Sequence, residues 1–276
     1  MQISYTKMHG TGNLILLVDQ RREDRPPPTV EKLRELGDEQ SGPGFDQMMW
    51  IGPARNEESI ASYRVFNADG SEVEQCGNGV RCVAKYLSDA DDLDSEFVLQ
   101  SPAGPVSARV FVDGKVAVSM GTPIFDPAKI PFVADAQAKS YILTVGDENF
   151  EVNAVSMGNP HCVLTVDDVA AARVAELGAA IEHHERFPAL ANVGFRRIAN
   201  RQNIELRVHE RGVGETAACG TGACAAVVSG QQLGLLDEEV TVQLPGGQVV
   251  VSWRGGDTLV WLKGNAELID TGLMDL

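Results

Sequence analysis

Two cysteines stand where this sequence could do chemistry. Cys76 opens the run Cys76-Gly77-Asn78-Gly79, and Cys219 opens Cys219-Gly220-Thr221-Gly222. In both places a loop gives way to a helix-like apolar stretch, residues 80–87 in the first case and 223–233 in the second. A thiol at a helix start meets unpaired backbone N–H groups and the positive end of the helix dipole. Such a position lowers a thiol's pKa and binds anions, and glycine lets a ligand approach the backbone closely. Each motif therefore offers a thiolate beside a carboxylate-binding turn. Paired, equivalent thiols suit inversion at a carbon. One base removes the α-proton from one face, a conjugate acid delivers a proton to the other, and the roles exchange in the reverse direction. Helix N-termini aimed at the α-carboxylate would stabilise the charge that moves onto its oxygens. No cofactor is expected for this scheme. Nor does the sequence contain a Walker motif or a GxGxxG turn between a strand and a helix.

The other three cysteines, Cys82, Cys162 and Cys224, read as small buried hydrophobes. No CxxC occurs, and none of His9, His161, His183, His184 and His209 stands at zinc-ligand spacing with a cysteine pair. No metal site is expected.

The elements that must position the two thiols follow from an internal repeat. Sliding the chain by 143 residues aligns residues 64–121 with 207–264 without a gap, and 14 of the 58 positions are identical. Chance would give roughly four. The identities include Arg64/Arg207, Glu72/Glu215, Cys76/Cys219, Gly77/Gly220, Gly79/Gly222, Asp94/Asp237, Gln100/Gln243, Pro102/Pro245 and Gly104/Gly247. This predicts two copies of one domain, residues 1–121 and 122–264, with a tail at 265–276 that packs back on the first. Period-two alternation marks strands at 106–112 and 248–253. Each is followed by a turn signal, Asp113-Gly114 or Gly255-Gly256-Asp257, and then by a second strand, 115–119 or 258–262. Further strands are expected at 63–66 and 204–209, a surface loop at Pro26-Pro27-Pro28, and an exposed helix over 170–185. The fold class is α+β: two pseudo-symmetric halves from an internal duplication, each a mostly antiparallel sheet around a central helix.

Composition narrows the partners. Lysine plus arginine is 23 against 39 for aspartate plus glutamate, a formal charge of −16. Repulsion at that charge argues against nucleic acid and anionic membrane surfaces. No run reaches the roughly 18 apolar residues of a membrane helix. The N-terminal residues lack a signal-peptide layout, and five cysteines make no disulfide scaffold, so a reducing cytoplasm is expected.

Around these residues the sequence resembles the diaminopimelate epimerase family. The matching stretches are Met8-His9-Gly10-x-Gly12-Asn13, Gly44-Phe45-Asp46-Gln47, Phe66-Asn67-Ala68-Asp69-Gly70-Ser71, Glu74-Gln75-Cys76-Gly77-Asn78-Gly79-Val80-Arg81, Met157-Gly158-Asn159-Pro160-His161, and Glu210 to Thr216 leading into Ala218-Cys219-Gly220-Thr221-Gly222. The resemblance implies cofactor-independent interconversion of L,L- and meso-diaminopimelate in a cleft between the two halves. Cys76 and Cys219 would be the acid–base pair. His161 and Glu210 would tune their protonation, with the pairing of helper to thiol left open. Gly77, Asn78, Gly220 and Thr221 would hold the reacting carboxylate. Asn67, Asn159, Asn192 and Arg211 would hold the distal amino-acid end. Asn13 and Gln47 would complete the pocket, and Glu210 could also meet a substrate ammonium. A homodimer is expected from some relatives, although the aromatic they use in that contact is missing from Leu268-Ile269-Asp270-Thr271. The chain also departs from the family pattern at Leu14-Ile15, at Ala217 and at His209, which stands where an aromatic is common. The alternative within the same superfamily is an enzyme like proline racemase or hydroxyproline epimerase.

Overall fold

The structure is a computed structural model that describes residues 1–73, 76–93 and 95–276. Glu74 and Gln75 of the first cysteine motif, and Asp94 of the Asp94/Asp237 pair, lie outside the described residues. The chain divides into two compact units, Met1–Ser119 with Lys263–Leu276, and Met120–Leu262.

In the first unit, β1 (Gln2–Gly10) and β2 (Asn13–Asp19) form a hairpin. Helix α1 (Val30–Gly37) carries the chain over to β3 (Gln47–Gly52), parallel to β2. Antiparallel β4 (Ala61–Asn67) follows, with the two-residue β5 (Glu72–Val73) beside it. Helix α2 (Gly77–Asp91) then leads to β6 (Phe97–Ser101), β7 (Gly104–Val110) and β8 (Val116–Ser119). β6 runs parallel to β4, and β6, β7 and β8 pair antiparallel in sequence.

The second unit repeats this plan. β9 (Tyr141–Val145), β10 (Glu148–Ser156) and β11 (Pro160–Thr165) pair antiparallel. Helix α3 (Val174–Glu182) crosses over to β12 (Asn192–Asn200), parallel to β11. β13 (Asn203–Glu210) and β14 (Gly214–Thr216) follow, then α4 (Gly220–Gln232), β15 (Glu239–Leu244) and β16 (Gly247–Ser252). β17 (Trp261–Gly264) crosses the boundary between the units, and β18 (Glu267–Asp275) pairs antiparallel with β1 in the first unit.

The 143-residue offset holds down to single pairs. Val65 faces Val73, and Val208 faces Thr216. Gln100 faces Pro105, and Gln243 faces Gln248. Arg64 grips Glu72 with two nitrogens at 2.6 and 2.7 Å, and Arg207 grips Glu215 at 2.6 and 2.8 Å. Gln100 and Gln243 each donate to the next residue's carbonyl at 2.9 Å.

Within each unit the sheet packs on its own helix, α2 against β1, β2, β3, β7 and β8, and α4 against β10 to β13 and β16. Nine consecutive residues of α4, Gly222 to Gly230, are buried. A helix enclosed this way must be small or apolar on most sides, as Ala223-Cys224-Ala225-Ala226-Val227-Val228 is. The sheets are mixed, with two parallel pairings in each unit among the described residues, because α1, α2, α3 and α4 are crossovers between parallel strands.

Two sequence expectations change. The helix expected over 170–185 is shorter and is not exposed: Val174, Leu177, Gly178, Ile181 and Glu182 of α3 are buried. Their spacing lays one face over the sheet, as a crossover helix must. The strand expected over 258–262 begins only at Trp261. Gly255 and Gly256 take positive φ, and Trp253 Nε1 donates to Thr258 O at 3.2 Å, so the chain turns on itself before pairing resumes.

Candidate active site

Cys76 and Cys219 are the N-cap residues of α2 and α4. Both have extended backbones, and each sulfur accepts the N–H three residues on, from Gly79 and Gly222, at 3.3 Å. The sulfur takes the place that a serine or aspartate oxygen usually fills. Glycine at the third helical position has a steric reason. A Cβ on Gly222 would sit 3.1 Å from the Cys219 sulfur, and one on Gly79 would sit 2.5 Å from the Met49 sulfur. All five cysteines are outside disulfides, and Cys82, Cys162 and Cys224 are fully buried as expected.

In the second unit, five of the expected residues form one network. Thr221 Oγ1 lies 3.5 Å from the Cys219 sulfur. Asn159 Nδ2 reaches Thr221 Oγ1 at 3.5 Å, and Asn159 Oδ1 lies 3.0 Å from His161 Nε2. Glu210 hydrogen-bonds the Cys219 thiol and accepts the hydroxyl of Thr216. Burial pushes the Cys219 thiol well above its ordinary pKa, and the neighbouring Glu210 charge adds to this, against the hydrogen bonds from Thr221 and Gly222. Burial also raises Glu210, against hydrogen bonds from Thr216 and Cys219. At neutral pH, Cys219 is therefore a protonated thiol hydrogen-bonded to Glu210. His161 is 1% exposed. Burial first, then the Arg211 charge, lowers its pKa to about 3, so the imidazole is neutral and donates to Asn159.

Asn192, expected to help hold the substrate, also bonds within the protein. Its Oδ1 accepts from Arg211 N and its Nδ2 donates to Pro160 O, both at 3.0 Å. It ties the Arg211 backbone to the mouth of β11. Arg211 itself is exposed, with Nη1 3.0 Å from Ala189 O.

The first unit holds two smaller groups. Asn78 Nδ2 donates to Asn13 Oδ1 at 2.6 Å, and buried Arg81 clamps the same helical turn through Asn78 Oδ1, Gly77 O and Thr11 Oγ1. Gln47 Nε2 donates to Asn67 Oδ1 at 3.0 Å, and Asn67 Nδ2 donates to Ser71 Oγ at 3.0 Å. The Gln47 Oε1 atom is buried with no hydrogen-bond partner.

Register makes these two sets equivalent. Gln47 faces Asn67 across β3 and β4 and Ile15 across β2. His161 faces Asn192 across β11 and β12, and the next step of β13 past the Val193–His209 pair brings Glu210 to the same level. Gln47 thus corresponds to Asn192, Asn67 to Glu210 and Ile15 to His161. The Asn13–Asn78 contact corresponds to the Asn159–Thr221 contact. Both titratable helpers belong to the second unit, where the first has an amide and an aliphatic side chain. Among the described residues, no group of three or more His, Cys, Asp and Glu is arranged to hold a metal ion. No described helix is long and apolar enough to cross a membrane.

The sequence offered no role for Thr216 or Arg81, although both stand in the motifs quoted. A hydroxyl six residues after Glu210, across a tight turn, was the available signal for Thr216.

The family model for diaminopimelate epimerase matches residues 5–125 and 153–269. The chain belongs to the diaminopimelate epimerase family. It is 46% identical over 275 residues to the diaminopimelate epimerase of Alkalilimnicola ehrlichii, covering 99% of this chain and 98% of that one. It is 47% identical over 277 residues to the diaminopimelate epimerase of Chromobacterium violaceum, covering all of both. The fold is shared more widely. A hydroxyproline epimerase from Agrobacterium vitis superposes with a TM-score of 0.71 at 16% identity, over 99% of this chain and 92% of that one.

Proposed function

We propose that this family member is a cofactor-independent isomerase that interconverts L,L- and meso-diaminopimelate, in the synthesis of lysine and peptidoglycan precursors. The observation that carries the assignment is the pair of N-cap cysteines within a full-length match to diaminopimelate epimerases. One thiolate takes the α-proton and becomes a thiol. The electron pair left on carbon delocalises into the carboxylate, and the other thiol delivers its proton to the opposite face and becomes the thiolate. No net proton or electron is consumed.

Cys219 is the thiol of one face, and Glu210 is its proton acceptor, with Thr216 holding the carboxylate in place. His161 serves as a neutral donor that orients Asn159 and, through it, Thr221. The Gly77–Asn78 and Gly220–Thr221 amides bind the reacting carboxylate at the two helix starts. Asn67, Asn159, Asn192 and Arg211 serve the distal amino-acid end, with Asn13 completing the pocket and Asn192 acting through the Arg211 backbone. The partnerless Gln47 oxygen is ready for a substrate ammonium, which brings only donors.

Cytoplasmic residence and a homodimer belong to the same proposal. Sedimentation at micromolar protein would give a dimer, and a monomer would overturn that part. The activity is tested by chiral chromatography of reaction mixtures from L,L-diaminopimelate, L-proline and trans-4-hydroxy-L-proline. Formation of the meso isomer alone is expected, and turnover of the ring amino acids alone would replace the assignment by the superfamily alternative.

A further inference from the structure

We propose that Glu182 and Gly178 of α3 are positioning residues for the reaction, forming a socket that fixes Glu210 and Arg211. The inference rests on the assignment above. One carboxylate makes two bonds that bracket that dipeptide. Glu182 Oε2 lies 2.9 Å from His209 Nε2, and Glu182 Oε1 accepts the Gly212 N–H at 2.7 Å. The pair is sealed from solvent, with Glu182 4% and His209 7% exposed.

Gly178, one helical turn before Glu182, provides the room. A Cβ there would sit 2.5 Å from His209 Cβ and Cγ and 2.8 Å from Nδ1. The ring therefore presses against bare helix backbone. The other ring nitrogen, Nδ1, is buried with no hydrogen-bond partner.

A tight turn does not ordinarily need a buried carboxylate. The turn already has its own backbone bond, from Val213 N to Glu210 O at 3.0 Å, and Gly212 supplies the positive φ. Burying a carboxylate and leaving a ring nitrogen unsatisfied both oppose folding. What the arrangement adds is position. Asn192 holds Arg211 N from one side, while Glu182 holds the residues before and after the dipeptide from the other. The Glu210 carboxylate then stays on Cys219, and the Arg211 backbone stays at the mouth of β11. Here the notch at Gly178 and the acid at Glu182 are built to receive an imidazole.

The test compares Glu182→Leu, Glu182→Gln and Leu143→Ala in steady-state epimerisation of L,L-diaminopimelate, with Tm for each. Leu143 is fully buried in the core of the second unit and is not part of the turn, so its variant reports destabilisation alone. Glu182→Leu is expected to lower kcat about tenfold and to raise KM severalfold, because both Glu210 and Arg211 lose their anchor. Glu182→Gln keeps an acceptor for Gly212 N–H and is expected to stay within about threefold of wild type. Leu143→Ala is expected to lower Tm with kcat and KM unchanged. Wild-type kinetics in folded Glu182→Leu would overturn the proposal, and so would equal kinetic losses in Leu143→Ala at matched Tm. A second readout does not depend on turnover. Amide hydrogen exchange at Gly212 should speed by at least tenfold in Glu182→Leu and not in Glu182→Gln. Unchanged exchange would sink the socket. If wild type turns over no substrate while Gly212 exchange responds as stated, the assignment has failed and the socket stands.

Discussion

Replacing His161 by glutamine should change the acid stability of the protein by a calculable amount. The folded imidazole has its pKa lowered to about 3 from the ordinary 6.5 by burial and by Arg211. In that interval the unfolded chain binds a proton that the folded chain does not, so stability is present above pH 6.5 and is lost as pH falls toward 3. Between pH 7.5 and 4.5 the loss from this one ring is about 3 kcal/mol. Glutamine can still donate to Asn159 but does not titrate. The stability difference, wild type minus variant, should therefore shrink by about 3 kcal/mol over that range. In melting temperature this is roughly 6–12 °C, at about 2–4 °C per kcal/mol. Calorimetry or urea unfolding of both proteins at the two pH values measures it, and the other titrating groups cancel in the difference. Parallel curves, within about 0.5 kcal/mol, would mean that the folded ring is charged or solvated, and would refute its role as a neutral donor.

Three further outcomes follow from the same geometry. Glu210→Gln keeps an acceptor for Thr216 but no base for Cys219, so kcat should fall by about 10²–10⁴-fold, the usual worth of a general base; a fall under threefold would remove Glu210 from that role. Alkylation of Cys219 by iodoacetamide, followed by peptide mass spectrometry, should have its midpoint above the ordinary thiol value of 9. The midpoint should move down in Glu210→Gln because a negative neighbour is gone, and an upward move would contradict the account. Gly222→Ala places a Cβ 3.1 Å from the Cys219 sulfur and 3.0 Å from Val208 Cγ2. Displacement of the sulfur by a few tenths of an ångström should cost kcat about tenfold with folding intact; wild-type kcat would show that the sulfur's position is not critical.

Much of this architecture can be read from residue types alone. Cys-Gly-x-Gly marks the helix starts because only a glycine at the third position clears the capping sulfur or its neighbour. The 143-residue offset survives in the structure because the stretch from β4 to β7 and its counterpart from β13 to β16 have the same lengths. The offset breaks before β4. Gln47 and Asn192 are 145 residues apart, because the β3–β4 connection is longer than the β12–β13 turn, and Ile15 and His161 are 146 apart, because the segments holding α1 and α3 also differ in length. The Asn67–Glu210 equivalence keeps the 143-residue offset and is legible in the sequence, whereas those of Gln47 with Asn192 and Ile15 with His161 appear only in the strand register. The face of α3 is hidden from local pattern as well. The helix is flanked by acidic and histidine residues, but its interior spacing answers to the sheet beneath it. The polar anchors Thr216 and Glu182 act through contacts made by turns and crossovers, which no local pattern announces.

On this mechanism Cys76 and Cys219 are both required to move one proton off a carbon and another onto it. Proton NMR of L,L-diaminopimelate with the reduced protein in D₂O tests it directly, beside Cys76→Ser and Cys219→Ser measured separately. Loss of the α-proton signal and growth of the meso isomer are expected with wild type, and a fall of at least about a hundredfold in each variant. Full exchange in either serine variant, or none in folded wild-type protein, would contradict it.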